Sequence, residues 1–271
     1  MHVRMMPHIE IAAETLIALF GIFPITNALL TSWVALMLIV VGTFIIRKAR
    51  MIPAGFQNIV ETIMEAFLAL MRNILGSEEK AFRFLPFVGT VFVFILISNW
   101  IGILPGVGSI EFSGSHGTRV PLFRSAASDL NFTLALGIVA VLMINAYAMR
   151  EVGLGSHLRK FFTLRNPIHT FVGILELISE FAKIVSFSFR LFGNVFAGEV
   201  LLTVIAFVAG VLTPRFFASF APFSIAVALV PFVALEIFVG FIQALVFAML
   251  ALVFLGIATA DHSAHKSHSL N

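Results

Sequence analysis

Apolar residues fill five long stretches of the chain, separated by short polar segments. Three of them, residues 29–46, 87–104 and 130–149, approach the roughly 20 residues that a helix needs to cross the hydrocarbon of a bilayer. The other two, residues 168–212 and 216–260, are much longer. None shows the alternation that is typical of a transmembrane β-strand. The pattern predicts an all-α polytopic membrane protein with five membrane-crossing segments.

Each of the two longest stretches, as one continuous helix, would extend roughly 65 Å at about 1.5 Å per residue. Such a helix cannot stand upright in a bilayer about 30 Å thick. Each stretch is therefore either broken into two spans, with Pro222 and Pro231 as candidate breakpoints, or forms one long, steeply tilted helix. The pattern leaves both alternatives open, and under either of them residues 213–215 form the turn of a hairpin.

Residues 54–75 have a different, amphipathic pattern, in which charged side chains interrupt apolar residues at helical spacing. The apolar positions are Ile59, Ile63, Phe67, Leu70 and Ile74. This spacing predicts a helix that lies on the membrane surface. A helix packed against its neighbours in the protein would show the same periodicity, so both interpretations stay open.

Basic clusters follow the first and third predicted spans. Arg47, Lys48 and Arg50 come directly after the first, and Arg150 follows the third. Because Lys and Arg collect on the cytoplasmic side, the chain is predicted to have its N-terminus outside and its C-terminus in the cytoplasm. The Gly- and Ser-rich loop at residues 105–127 is then external.

The amino-acid composition limits the classes of function that the chain can have. Of the 271 residues, 60% are hydrophobic and 11% charged, and the formal net charge is +3. The basic residues lie in short clusters between apolar segments, which indicates membrane topology rather than nucleic-acid binding. The chain has no cysteine and no phosphate-binding G-x-x-x-x-G-K-[ST] motif. No cofactor and no metal are predicted, and no internal repeat is found, so residues 1–271 are interpreted as a single membrane domain.

A polar stripe marks the fourth apolar stretch. At about 100° per residue, its members fall within about 40° of Arg190 on a helical projection. They are Glu176, Ser179, Lys183, Ser186, Arg190 and Asn194. A charge near the bilayer centre costs roughly 2.5 to 3.5 kcal/mol, so Arg190 is predicted to be functional. The alternatives are a salt bridge within the chain or snorkelling to the interface, which is the interpretation preferred for Lys183.

Two carboxylates extend this polar set. Glu199 lies nine residues after Arg190 and so on the opposite side of a continuous helix. In the fifth stretch, Glu236 and Gln243 share a face with Gly240. One buried hydrogen-bonded pair would account for Glu236 and Gln243 without transport, but the whole set favours a proton or cation path.

Four segments together resemble subunit a of the F-type ATP synthases. The most specific are RLFGNVFAGE, residues 190–199, and FIQALVFAML, residues 241–250. SNWIGILPG, residues 98–106, and SDLNFTLAL, residues 128–136, resemble the same family's two earlier motifs. Their order and spacing also fit, and the resemblance covers most of the chain.

The resemblance implies a stator subunit with two offset half-channels, beside a rotating ring of c subunits that each carry one membrane carboxylate. It implies further partners in peripheral stalk subunit b, the F1 head and the lipid bilayer, and no catalysis by the chain on its own. It also implies that the two longest stretches form a strongly tilted hairpin. Localisation in a bacterial plasma (inner) membrane is the preferred expectation.

The resemblance also assigns roles to single residues. Arg190 takes the position of the family's essential arginine, and Glu199 and Glu236 take the two ionisable positions of the outer half-channel. The other positions that match polar sites of the ion path are Asn194, Gln243, Glu176, Asn99 and Asp129.

This chain departs from the family in one respect, because many members have a histidine at one outer-channel position and this chain has acids at both. Two close carboxylates are expected to share protons and to titrate as a coupled pair. The competing function classes are a self-contained proton-coupled secondary transporter, in which Arg190 binds an anionic substrate, and a purely structural membrane scaffold. The choice between proton and sodium depends on the ring subunit, which supplies the selecting carboxylate.

Overall fold

The structure, a computed structural model, describes residues 13–19, 23–46, 55–104, 110–113, 119–155, 157, 167–212 and 221–260. These residues form six long helices, and five of them, all except α2, are long and apolar enough to cross a membrane. The all-α polytopic fold predicted from the apolar pattern is confirmed. The helices are α1 Asn27–Ile46, α2 Phe56–Leu75, α3 Glu78–Ile103, α4 Leu130–Val152, α5 Pro167–Leu212 and α6 Ala221–Ala260.

Helix α3 begins at Glu78 rather than at the predicted Phe87. Its first turns are charged, so they lie outside the apolar run on which the prediction rested. Ion pairs stabilise them: Arg83 pairs with Glu79 at 2.9 Å and also with Glu151 of α4. The hydroxyl of Ser77 accepts a hydrogen bond from the amide of Lys80, as an N-cap does.

Helices α5 and α6 are each continuous, with 46 and 40 residues. Pro231 lies inside α6 without ending it, and Pro222 occupies the first turn, where a proline costs no hydrogen bond. The alternative with two shorter spans in each stretch is therefore wrong. At about 1.5 Å per residue the two helices extend about 70 and 60 Å, which requires a strong tilt in a bilayer about 30 Å thick.

Two short antiparallel hairpins accompany the helices. The first pairs β1, Thr15–Leu19, with β2, Phe23–Thr26, and leads directly into α1. The second pairs β3, Glu111–Ser113, with β4, Arg119–Pro121, within the segment predicted as an irregular loop. The side chain of Asn27 donates a 3.4 Å hydrogen bond to the carbonyl of Pro121 and so joins the start of α1 to β4.

Helix α2 presents two apolar surfaces. Phe67 and Met71 are buried, and the Phe67 ring lies 4.6 Å from that of Phe92 on α3. Other apolar side chains of α2 are exposed: Ile59, Ile63, Met64, Leu70 and Ile74. The helix thus packs on its neighbour and still leaves apolar surface uncovered. Its location at the membrane surface stays a prediction.

The contacts divide the chain into two compact units. Unit 1 comprises residues 1–39, 94–133 and 190–244, and unit 2 comprises residues 40–93, 134–189 and 245–271. In unit 1, α5 and α6 run antiparallel, since residue 194 contacts residue 243 and residue 198 contacts residue 236. In unit 2 the same pair is antiparallel, since the Phe187 ring lies 4.6 Å from that of Phe247, and Lys183, one turn earlier on α5, lies 5.1 Å from the centre of the Phe254 ring, further along α6.

Several predictions fall outside the described residues. They concern the basic cluster Arg47, Lys48 and Arg50, the turn at residues 213–215, and both ends of the chain. The orientation in the membrane and the single-domain interpretation therefore stay predictions.

Candidate functional site

The predicted site residues lie mainly in unit 1. Helix α5 carries Arg190, Asn194 and Glu199, and α6 carries Glu236 and Gln243. Asn99 on α3 and Asp129 before α4 belong to the same unit, and Glu176 belongs to unit 2. Seven of the eight residues are thus part of one compact unit, although they come from distant parts of the sequence.

The side chain of Arg190 is exposed at the surface of unit 1. Leu191 and Val195, on another face of the same helix, are buried at 0% and 5% exposure. Asn194, one turn after Arg190, is also exposed. The polar positions of α5 in unit 1 therefore point away from the apolar core of the chain, as a helix face that meets water or a polar partner does.

A short hydrogen bond joins α5 to α6 beside Arg190. The amide of Asn194 donates from Nδ2 to Oε1 of Gln243 over 2.6 Å. Gln243 is buried, and its own Nε2 has no hydrogen-bond partner among the described residues. One end of this amide is thus held by α5, and the other end keeps two unused donors.

Helix α3 donates two side-chain hydrogen bonds to the backbone of α6. Nδ2 of Asn99 lies 3.3 Å from the carbonyl oxygen of Gly240, and Nε1 of Trp100 lies 3.2 Å from that of Ile237. The approach is close, because a Cβ at residue 240 would lie 3.3 Å from Cβ of Asn99, which is tighter than ordinary van der Waals contact. These contacts place Asn99 beside the helical turn that leads to Gln243.

Four buried polar atoms of unit 1 have no hydrogen-bond partner among the described residues. Buried polar groups almost always have one, so such a group usually indicates a place where water or another ligand binds. The atoms are Ser98 Oγ, Asn99 Oδ1, Ser125 Oγ and Gln243 Nε2. Two of them belong to residues that the sequence pattern had already selected.

Glu199 forms an ion pair that was not predicted. Its carboxylate oxygens lie 2.9 and 3.1 Å from Nε of Arg124. The Arg124 side chain is only 8% exposed, and its backbone amide donates a 3.3 Å hydrogen bond to Thr31 Oγ1 on α1. Arg124 was missed because it lies in a segment with no helical or apolar pattern. The one available signal was a lone arginine just before the motif at residues 128–136.

Glu236 is buried at 8% exposure, and its carboxyl group lies against the backbone of Gly198. A Cβ at residue 198 would lie 2.0 to 2.2 Å from the carboxyl atoms, so a larger residue there would force the Glu236 side chain to move. Residue 199 follows directly, and the two carboxylates are close enough for their charges to interact. The structure therefore brings Glu199 and Glu236 together, as the sequence analysis anticipated.

Asp129 has a clear structural role. Its carboxylate accepts a 3.0 Å hydrogen bond from the amide of Asn131, and its carbonyl accepts one of 3.1 Å from the amide of Thr133. This is the N-cap arrangement, with extended backbone at Asp129 followed by the first turn of α4. The capping accounts for an aspartate at this position without a part in ion access.

Unit 2 contains a polar network that the sequence analysis overlooked. Lys183, expected to snorkel, instead pairs with Glu180 at 2.6 Å, and its ammonium lies 5.1 Å from the centre of the Phe254 ring. Nδ2 of Asn145 donates to the same Glu180 carboxylate over 3.1 Å, and Oδ1 of Asn145 lies 3.0 Å from Nε2 of the buried His157. Glu176 also lies in unit 2 and is half-buried.

No group of three or more His, Asp or Glu side chains that could hold a metal ion occurs among the described residues. Of the eight histidines, only His157 and His169 belong to the described part of the chain. What distinguishes the site is instead an exposed arginine beside a pair of amides, one exposed and one buried, and a cluster of the buried Arg124, the half-buried Glu199 and the buried Glu236.

Comparison with known proteins identifies similar chains. The family described as ATP synthase A chain matches residues 29–256. The chain is 33% identical to ATP synthase subunit a of Gloeobacter violaceus over 241 residues, which cover 88% of this chain and 86% of that protein. It is 30% identical to ATP synthase subunit a of Moorella thermoacetica, with 87% and 91% covered, and 31% identical to the chloroplastic ATP synthase subunit a of Stigeoclonium helveticum, with 87% and 85% covered.

Proposed function

The chain belongs to the ATP synthase A chain family, and from this premise we propose that it is the stator subunit a of an Fo sector. It provides two half-channels and one essential arginine, Arg190, past which a ring of c subunits rotates as protons cross the membrane. The observation that carries the proposal is the exposure of the Arg190 side chain near the middle of a long apolar helix, where a permanent charge is costly unless it has a function.

The chemistry of arginine suits this position. A guanidinium is never deprotonated in a protein, so Arg190 attracts an ionised carboxylate on the ring but cannot pass a proton onward. It therefore separates the two half-channels electrically while it holds the passing carboxylate. The Asn194–Gln243 hydrogen bond at 2.6 Å fixes polar groups of both long helices within one turn of this point.

Glu199 and Glu236 occupy the two ionisable positions of the outer half-channel in this proposal. Both belong to unit 1. In the same unit, Ser98, Asn99 and Gln243 each have a buried polar atom without a hydrogen-bond partner among the described residues, and water can bind there. Asp129 borders the segment that carries Arg124. Glu176, on the polar stripe of α5, is assigned to ion access from the other side.

Rotation follows from the cost of exposing charge to lipid. A protonated ring carboxylate can face hydrocarbon, whereas an ionised one cannot do so cheaply. The ring therefore turns only in steps that protonate each site before it leaves the stator. One elementary charge that crosses about 100 mV releases about 2.3 kcal/mol, so several steps must be accumulated for each ATP.

The partners follow from the same proposal. The c-ring faces Arg190, peripheral stalk subunit b anchors the chain, the F1 head performs the ATP chemistry, and the chain itself catalyses no reaction. The complex resides in a bacterial plasma membrane, with the N-terminus of this chain outside and its C-terminus in the cytoplasm. Basic residues such as Arg150, in the last turn of α4, support this orientation.

The test is ATP-driven acidification of vesicles that carry the assembled complex, with sodium present or absent. Arg190→Ala should abolish acidification while the complex still assembles, and Ser186→Ala, one turn earlier on α5, should leave it unchanged. Acidification that is indifferent to sodium identifies protons as the ions. Unchanged pumping by Arg190→Ala would overturn the proposal. Transport by the purified chain alone in liposomes would instead favour a self-contained transporter.

A further inference from the structure

Unit 1 contains a buried cation, Arg124, and two carboxylates, Glu199 and Glu236, whose charges interact with each other. Arg124 makes its ion pair with Glu199, at 2.9 and 3.1 Å from Nε to the two carboxylate oxygens. Among the described residues no ion pair includes Glu236, which is buried against Gly198 and electrostatically coupled to Glu199. The two acids therefore differ in their surroundings, although the sequence presents them as equivalent.

The charge count of this cluster indicates how many protons it exchanges. With both acids ionised the three groups have a net charge of −1, and with one of them protonated they are neutral. A buried cluster is most stable when its charges are paired, and breaking a buried pair is far more costly than keeping it. Arg124 stays protonated and contacts Glu199, so Glu199 stays ionised. The group that binds and releases a proton is therefore Glu236.

We propose, on the basis of the function proposed above, that Arg124 is a positioning residue that holds Glu199 as a permanent counter-ion, so that the outer half-channel passes its protons through Glu236 alone. In each cycle a proton from outside water binds the Glu236 carboxylate. It then leaves to the ionised carboxylate of the ring, and the Glu236 carboxylate is regenerated. Glu199 and Arg124 neither gain nor lose a proton.

This assignment also explains how a chain with acids at both outer-channel positions can work. Two equivalent neighbouring carboxylates would share and retain a proton between them. Arg124 makes the two carboxylates different, because it keeps Glu199 in an ion pair and leaves Glu236 to exchange protons. The difference between the two outer-channel positions thus comes from Arg124, a cation on another segment of the chain, and not from a neutral residue at one of the two positions.

The experiment compares ATP-driven acidification by four assembled complexes: wild type, Glu236→Gln, Glu199→Gln, and the double variant Arg124→Gln/Glu199→Gln. Glu236→Gln removes the exchanging group and should lower the rate at least about tenfold. Glu199→Gln removes the carboxylate that pairs with the buried Arg124 guanidinium and so breaks a buried ion pair, which should also lower the rate at least about tenfold. The double variant removes the cation as well and should recover to within about threefold of wild type.

Recovery in the double variant supports the assignment, because a residue needed only for folding or for proton transfer would not be rescued by a second loss. A double variant as slow as Glu199→Gln, or a Glu199→Gln variant as fast as wild type, would overturn it. If the double variant fails to assemble, Arg124→Met/Glu199→Leu serves the same purpose, since a buried ion pair can often be replaced by apolar residues.

Arg190→Ala in the same assay separates the two proposals. If Arg190→Ala pumps normally, the stator function itself fails, whatever the double variant does. If Arg190→Ala is inactive and the double variant is not rescued, the function stands and the role assigned to Arg124 is wrong.

Discussion

Asn194 and Gln243 face each other across the two longest helices, with 2.6 Å between Nδ2 of the first and Oε1 of the second. The pair lies one turn beyond Arg190 and combines an exposed amide with a buried one. Because Nε2 of Gln243 has no partner among the described residues, this amide can receive a further polar group on the side away from Asn194. We therefore expect the Asn194–Gln243 pair to take part in ion access as well as in the packing of α5 on α6.

Gln243→Leu tests that part. Leucine keeps most of the volume but removes the acceptor for Asn194, whose exposed amide can bind water instead, so the stability loss should be only about 1 kcal/mol. The complex should assemble normally, and ATP-driven acidification should fall by about tenfold because a polar group of the path is lost. Ile242→Leu is the matched control. A Gln243→Leu complex that pumps at the wild-type rate would limit the amide to a structural role.

Arg190→Lys should uncouple the complex. Lysine keeps a positive charge but loses the planar guanidinium, and it can release its proton when it is desolvated. The expected result is a proton leak through vesicles in which ATP hydrolysis has been stopped, measured as the decay of an imposed pH difference. Ser186→Ala should hold the gradient like wild type. A fully coupled Arg190→Lys complex would contradict the role given to the guanidinium.

Gly198→Ala should displace the Glu236 carboxylate. The added Cβ would lie 2.0 to 2.2 Å from the carboxyl atoms, so the side chain must leave its position beside Glu199. Pumping should fall at least about tenfold if proton exchange depends on that position. Gly89→Ala is the control, because a Cβ there has no neighbour within 4 Å and alanine is about 1 kcal/mol better than glycine in a helix. Equal rates for the two variants would count against the placement of Glu236.

The ion pair between Glu180 and Lys183 in unit 2 predicts that substitutions of its two residues have non-additive effects on stability. Glu180→Leu leaves the largely buried Lys183 without its 2.6 Å partner and should destabilise the chain by about 3 kcal/mol, and Lys183→Met should cost a similar amount. The double variant should be closer to wild type than either single one. Thermal dissociation of the complex measures all three. Additive losses would show that the two charges do not depend on each other.

The apolar lengths were sufficient to predict the five membrane-crossing helices, because hydrocarbon admits few alternatives to a helix. They could not decide whether α6 continues past Pro231, since a proline inside an apolar run is compatible with a break and with a tolerated defect. The pattern also missed the start of α3 at Glu78. The first turns of this helix are charged, so hydropathy does not indicate them, and they form ion pairs with other segments.

Three of the charged residues inside the apolar stretches were predicted to be functional because a charge is costly in an apolar segment. Arg190, Glu199 and Glu236 are of this kind. Arg124 is not, since an arginine in a loop contradicts nothing until the fold buries it against Glu199. The same holds for His157 and Asn145, whose network with Glu180 depends on contacts between segments that are far apart in the sequence. Pairings of this type are decided by tertiary packing.

The continuity of α5 has a mechanical consequence. Arg190 lies near the middle of 46 helical residues with no proline after the first position, so an unbroken series of backbone hydrogen bonds extends on both sides of it. A helix of this kind has no internal proline at which the series of backbone hydrogen bonds is interrupted. If a charged rotor passes this side chain, its attraction acts on a continuous helix. The work of each ion step would then appear as torque on the rotor, with little of it stored as deformation of α5.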